Sequence, residues 1–166
     1  QTVREALRHH GLDPVDVADD DAATALAAIL VGRNGENAII QAPGANRSLG
    51  GADAERAASA IRTAKAVLFQ LEIPLEASLA AARAARAAGA VTIFDPAPAP
   101  QDGLAGAVFM AFDIVTPNEV EAEIYAGFRP ADRESGLAAA RRLVELGAPT
   151  AIVTLGAQGA AWASEQ

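Results

Sequence analysis

The stretch 66-AVLFQLEIPLEASLAAARAARAAGAVTIFD-95 decides the fold. It opens on a short apolar run, residues 66–71. Pro74 then suits a first helical turn, because its fixed φ is already helical and its missing amide hydrogen is not needed there. Residues 75–88 are rich in alanine, the strongest helix former, and Gly89 supplies a stop. Val91–Phe94 is a second apolar run. Strand, helix and strand in such close succession make a βαβ unit, with parallel strands and a right-handed crossover.

The same rhythm continues on both sides. The loop 95-DPAPAP-100 excludes helix, since each proline biases its predecessor to extended geometry. Beyond it the pattern predicts a short helix over 103–110, a strand over 112–115 and a helix over 118–126. A longer helix over 131–146, a strand over 150–154 and, after a tight turn, a strand over 159–164 complete the C-terminal part. Upstream, residues 2–10 have helical spacing and stop at Gly11. Residues 15–18 read as a short strand, the acidic 19-DDD-21 as a solvated turn, and 52–63 as a helix. Two apolar runs flank 32-GRNGEN-37, where Asn34 and Gly35 both tolerate positive φ. A β-hairpin over 24–41 follows, and it interrupts the alternation, so it stands apart as a flap. The expected class is α/β: an open, mostly parallel sheet with flanking helices on both faces, plus the hairpin.

Composition narrows the function. The 166 residues suffice for one domain or part of one. The chain opens at Gln1 directly into helical spacing and ends at 160-AAWASEQ-166 like an interrupted strand, so a piece of a larger, incomplete domain is expected. Apolar residues are 51% of the chain but aromatics only 4%, which predicts helices packed closely on a sheet through alanine. With a formal charge of −8 and Lys65 as the single lysine, no basic patch offers itself to nucleic acid. The absence of cysteine excludes disulfides and thiolate metal sites. His9 and His10 are adjacent and isolated, and read as solvated helix residues. No apolar run approaches the roughly 20 residues of a membrane span, and no leader pattern is visible. A soluble, cytoplasmic protein is expected.

Open parallel sheets bind ligands outside the carboxyl ends of their strands. Four places qualify, after Leu71, Phe94, Val115 and Thr154. Glu72 follows the first; its carboxylate suits sugar hydroxyls and equally suits the positive end of a helix. Asp95 follows the second and reads as a turn residue. After the third, 116-TPNE-119 matches a capping box with proline at the first helical position, so that Glu119 reaches back to the Thr116 amide. Val120 and Ile124 then form a core stripe, and Glu123 is solvated. Asn118 and Glu121 remain, neighbours at i,i+3. The amide suits a phosphate oxygen. The carboxylate is useful there only with Mg²⁺ and its waters between; a solvated helix start explains the same pair. After the fourth, 154-TLGAQG-159 carries two glycines three apart, which bring amides close to an anion or simply turn a hairpin. Neither G-x-x-x-x-G-K-[ST] nor G-x-G-x-x-G occurs.

The order of these pieces carries more than any one of them. With 34-NGENAIIQAPGAN-46, 70-QLEIPLEA-77, 94-FDPAPAP-100, 113-DIVTPNEVEAE-123 and 153-VTLGAQG-159, the chain resembles the ribokinase branch of the pfkB-like carbohydrate kinases over essentially its whole length. The resemblance implies transfer of the γ-phosphoryl of ATP to a sugar, D-ribose to D-ribose 5-phosphate first among them. It assigns the sugar to Glu72, with Ala27 and Ile39 as apolar sugar-facing positions of a lid hairpin. It assigns the nucleotide to Asn118 and to Thr154, Leu155, Gly156, Ala157, Gln158 and Gly159. Glu121 is tied to Mg²⁺ through water. Lids of this kind pair between subunits, so a homodimer is implied, and a monovalent cation, K⁺, belongs to the C-terminal part of such kinases. There are departures. Ala157 and Gln158 stand where relatives often carry a more polar or basic pair, and Ala25 where glycine is common. The G-A-G-D segment that supplies the catalytic base is absent, as is the N-terminal sugar-binding part. The chain therefore resembles a middle portion, expected to be inactive by itself. A kinase for a ketose, a sugar acid or a nucleoside, and a non-catalytic remnant that binds a partner through the hairpin, remain as alternatives.

Overall fold

The computed structural model describes residues 3–165. In chain order the elements are α1 (Val3–His9), β1 (Leu26–Val31), β2 (Asn37–Ala42), α2 (Gly51–Arg56), α3 (Ala58–Thr63), β3 (Ala66–Phe69), α4 (Leu75–Ala87), β4 (Val91–Phe94), α5 (Gly106–Phe109), β5 (Ile114–Val115), α6 (Glu119–Ala126), α7 (Arg133–Glu145), β6 (Thr150–Thr154) and β7 (Ala160–Ser164). Strands β3 to β7 form one sheet in the order of the sequence. The first four are parallel and β7 returns antiparallel to β6. The hairpin β1–β2 is a separate antiparallel pair, with Ala27 opposite Gln41 and Ile29 opposite Ile39.

Register explains the core. Phe69 pairs with Phe94, Phe94 with Val115 and Val115 with Ala151, so these side chains share one face. Val153 and Ala161 lie on that face too. It is buried under Ala82 of α4, Ala122 and Tyr125 of α6, and Ala139, Ala140 and Leu143 of α7. Alanine brings the helix axes close to the sheet, and four of the five phenylalanines fill what remains. Phe112 lies with its ring centroid 4.3 Å from that of Phe94 and 5.2 Å from that of Phe69. Phe109 meets Tyr125 edge-on at 5.3 Å.

The opposite face differs from expectation. Leu68 is 77% exposed there and Trp162 64%, and no buried cluster includes Ile93 or Ile152. Among the described residues the helices cover one face only. Strands laid side by side in sequence order, joined by crossovers of one hand, send every helix to the same side.

Local boundaries moved for identifiable reasons. Residues 15–18 are a turn instead of a strand: the Val17 amide bonds the Pro14 carbonyl, while the Arg4 guanidinium takes the Val17 carbonyl and the Asp19 carboxylate. The helix expected over 52–63 breaks at Ala57, whose ψ of 0° divides α2 from α3. The helix expected over 103–110 shrinks to Gly106–Phe109. The strand expected over 112–115 keeps only Ile114–Val115, because Phe112 ends the preceding turn and points into the core. In the hairpin turn only Gly35 takes a positive φ. The helix expected from residue 2 is seen over Val3–His9, and Thr2 lies outside the described residues. Among the described residues no helix is long and apolar enough to cross a membrane.

Phe112 is fully buried and Phe128 is partly exposed. Phe112→Ala is expected to lower the unfolding free energy by about 3–5 kcal/mol, whereas Phe128→Ala should lower it by clearly less. Urea denaturation followed by circular dichroism distinguishes the two.

Candidate functional site

Parallel pairing delivers Glu72, Asp95, Thr116–Asn118 and Leu155–Gly156 to one edge of the sheet. Neighbouring strands lie about 4.8 Å apart. The loops leaving them are joined in series. The Leu71 amide donates to the Ala97 carbonyl at 2.9 Å, the Thr116 amide to Phe94 at 2.8 Å and the Thr154 amide to Pro117 at 3.0 Å. Gln70 Nε2 reaches Asp95 Oδ2 at 3.2 Å. The buried Tyr125 hydroxyl, 2.8 Å from the Pro96 carbonyl, fastens the proline loop to α6. Burial, with the charges of Glu121 and Asp95 behind it, holds that phenol above its ordinary range, so it stays a donor.

At the β3 end, Glu72 borders a cavity of about 550 Å³ whose walls include Ala27, Gln41, Asn46, Arg47 and Pro98. Ala27 and Glu72 are thus brought together. Ile39 lies two residues before Gln41 on the same strand face and is not part of the cavity lining. Gln41 Nε2 donates to Glu72 Oε1 at 3.1 Å. The base of the hairpin is clamped at Gly44. Its φ is +48°, and a Cβ there would stand 2.2 Å from the Ala23 carbonyl oxygen, which already accepts the Ala45 amide at 2.9 Å. No side chain fits that approach.

At the β5 end the expected capping box is displaced by two residues. The Thr116 amide is committed to Phe94 and continues the strand, so α6 cannot begin there. Asn118 is the cap. Its Oδ1 accepts the amides of Val120 at 2.8 Å and Glu121 at 3.0 Å. Glu121 answers with both oxygens, Oε2 from the Asn118 amide and Oε1 from Asn118 Nδ2, each at 2.9 Å. Glu119 instead faces the next loop, its Oε1 3.6 Å from where a Cβ on Gly156 would stand. Glu123 is exposed and sits 3.8 Å from Arg129. Val120, expected in the core stripe, is exposed, and α6 buries Ala122, Tyr125 and Glu121. Glu121 is 7% exposed. Burial raises its carboxyl above the usual carboxylate range. The Asn118 backbone amide opposes that, the negative Asp95 adds to it, and the Asn118 side chain opposes it again.

At the β6 end, residues 156–158 make a 3₁₀ turn closed by the Leu155 amide on the Gly159 carbonyl at 2.8 Å. Gly159 has φ 93° and ψ −129°, a region open essentially to glycine alone. Gln158 is anchored outward, Nε2 to the Ala131 carbonyl at 2.8 Å. Arg133 Nε in turn meets the Gln158 carbonyl at 3.3 Å. The Leu155 side chain is buried in the core, while Thr154 and Ala157 are exposed. Any ligand contact from Leu155 is therefore a backbone contact. The cavity beside Glu72 does not extend to Asn118 or to this loop. Among the described residues no cluster of three His, Cys, Asp or Glu side chains forms a metal cage. A cation at this edge would depend on water and ligand oxygens, as Mg²⁺ commonly does.

Sequence reasoning missed Gln41, Asn46 and Arg47. The two-residue period of β2 was the available signal for Gln41, since it puts Gln41 on the face of Ile39. Asp95, read as a turn residue, also acts on its neighbours through Gln70 and Glu121.

The family model for the pfkB family carbohydrate kinases matches residues 1–166. Mouse ribokinase is 42% identical over 139 residues, covering 84% of this chain and 43% of the relative. The deoxyribokinase of Salmonella typhi is 36% identical over 141 residues, covering 84% and 45%. The structure of Arabidopsis thaliana ribokinase complexed with ribose and ATP superposes with a TM-score of 0.73 at 26% identity, covering 88% of this chain and 47% of that one. The chain spans about half the length of the curated relatives it matches.

Because the folded state holds the Glu121 proton to higher pH than the unfolded chain does, its contribution to stability is fully present below the ordinary value of 4.5. It is lost as pH rises through the elevated folded value. In metal-free buffer, the unfolding free energy of the wild type relative to Glu121→Gln is therefore expected to fall as pH rises above the ordinary value of 4.5. A difference that does not vary with pH, measured by urea titration, would contradict it.

Proposed function

The chain belongs to the pfkB family of carbohydrate kinases, and from that membership we propose that the complete kinase transfers the γ-phosphoryl of ATP to the primary hydroxyl of a sugar, D-ribose foremost. One observation carries the reading. Glu72 at the tip of β3 and the Asn118–Glu121 turn at the tip of β5 share one sheet edge, separated only by the tip of β4. A sugar beside Glu72 and a polyphosphate beside Asn118 and the 154–159 loop would meet above Asp95. The ribokinases among the relatives favour ribose as acceptor. The deoxyribokinase at 36% identity makes 2-deoxyribose the second candidate.

Phosphoryl transfer depends mainly on positioning and on stabilising charge. In this reading Glu72 accepts hydrogen bonds from sugar hydroxyls and orients the acceptor, and Ala27 and Ile39 give the hairpin an apolar surface toward it. Asn118 and the backbone of Thr154, Leu155, Gly156, Ala157, Gln158 and Gly159 hold the nucleotide. Glu121 and Asp95 are like charges close enough to raise the Glu121 carboxyl, a donor set that fits a Mg²⁺ held through water. Bound there, the ion would neutralise phosphate charge. The chain contains no G-A-G-D segment, so it supplies no base for the attacking hydroxyl, and none of its residues is assigned to K⁺. The hairpin's other face carries Leu30 and Ile40, both exposed, and suits pairing with a second lid in a homodimer. A cytoplasmic location goes with the use of ATP, and the charge of −8 disfavours nucleic acid.

In the complete kinase, Glu72→Ala is expected to lower kcat/KM for ribose by about ten- to a hundredfold, mostly through KM, as loss of a charged hydrogen bond implies. The 166-residue chain alone is expected to release no ADP in response to ribose. A coupled ADP assay reads both. Ribose-dependent turnover by the isolated chain would overturn the division of labour, and an unchanged kcat/KM in Glu72→Ala would overturn the sugar site.

A further inference from the structure

The hairpin meets the tip of β3 through a polar contact that the proposed reaction has not used. Gln41 Nε2 donates to Glu72 Oε1 at 3.1 Å across 31 residues of chain, and both side chains line the same cavity of about 550 Å³. Both are exposed. Water would satisfy either group alone, so the bond adds little to folding. Its chemistry is more informative. Glu72 keeps Oε2 as an acceptor, and Gln41 keeps one N–H and its carbonyl oxygen. Joined by one hydrogen bond, the two groups present a donor and two acceptors side by side. One hydroxyl engages one of them; a vicinal diol engages both. Ala27, directly across from Gln41 in the hairpin register, is small enough to leave the amide room.

We propose that Gln41 is a specificity-determining residue: beside Glu72, it reads the second hydroxyl of a vicinal diol on the sugar. This rests on the reading of the Glu72 cavity as the sugar site. An amide neither takes nor gives a proton near neutral pH, so Gln41 discriminates among acceptors without entering the chemistry. In the furanose ring, 2-deoxyribose keeps no vicinal diol, which makes it the discriminating probe.

In the complete kinase, the wild type and the variants Gln41→Leu and Glu72→Ala would be titrated with D-ribose and with 2-deoxy-D-ribose, following amide chemical shifts by NMR. Leucine keeps the volume of glutamine and removes its polar atoms. Because position 41 is exposed, amide shifts away from the hairpin should be unchanged and report an intact fold. The wild type is expected to bind ribose more tightly than 2-deoxyribose. Gln41→Leu should weaken ribose by about tenfold, leave 2-deoxyribose within about twofold, and so abolish the preference. Glu72→Ala should weaken both sugars. If Gln41→Leu leaves the preference intact while Glu72→Ala weakens both sugars, the role of Gln41 falls and the sugar site stands. If Glu72→Ala weakens neither, or no saturable shift occurs with either sugar, the sugar site falls and the inference falls with it.

Discussion

Parallel pairing of β3 through β6 is the constraint on which the rest depends. Antiparallel neighbours would send alternate strand tips to opposite edges and scatter Glu72, Asp95, Asn118 and Gly156. Parallel neighbours release the chain at one edge every time, and a crossover must carry it back. That requirement explains why each crossover lies on the helical face and why the core is built there from alanine and phenylalanine. The pairing is sustained at its weakest point by side chains. Strand β5 is two residues long, and its neighbour β4 is held to the segment before it by Thr92. The Thr92 amide and hydroxyl both donate to Asp113 Oδ2 at 2.8 Å, and the Asp113 amide returns to Thr92 Oγ1 at 2.9 Å. Arg86 closes the group from α4, 3.4 Å from Asp113. These polar groups sit at the opposite edge from the candidate site, so they fix register without occupying it.

The hairpin obeys different physics. Every residue of β1 and β2 is exposed, so no core dictates where the pair stands. Its position follows from two contacts at its base: the glycine-only approach at Gly44 and the Gln41–Glu72 hydrogen bond. A two-stranded ribbon is marginal by itself. This one is held at its base by the backbone clamp at Gly44 and by the side-chain bond from Gln41 to Glu72.

Much of this was legible in the residues. The βαβ rhythm came from Pro74, the alanine run and Gly89, and the hairpin from Asn34-Gly35. The four strand tips followed from topology alone. What was not legible depended on partners distant in sequence. Residues 15–18 have strand composition, but Arg4 and Pro14 claim the backbone groups a strand would need. One-sided helices follow from strand order, which no local pattern contains. The capping box is the clearest case: T-x-x-E and N-x-x-E overlap in 116-TPNEVE-121, and only the bond from Thr116 to the neighbouring strand decides between them. Gln41 was hidden for a simpler reason, since a lone polar residue in an apolar strand shows its use only when Glu72 is seen opposite.

The Asn118–Glu121 pair bears on how a structural and a ligand-binding role can coexist. Each Glu121 oxygen accepts one hydrogen bond from Asn118, and each oxygen has a second lone pair to spare. A cation bound directly would compete with the helix cap for the carboxylate. A cation held through water asks only for the spare lone pairs, so the cap survives occupancy and release. Burial supplies the complementary half of the argument. It disfavours the ionised carboxylate when nothing lies nearby, and Asp95 disfavours it further. A cation held through water near the pair would offset the repulsion from Asp95 and lower the cost of ionising the buried carboxyl. The pair that opens α6 would therefore keep its helix cap with or without a cation held through water.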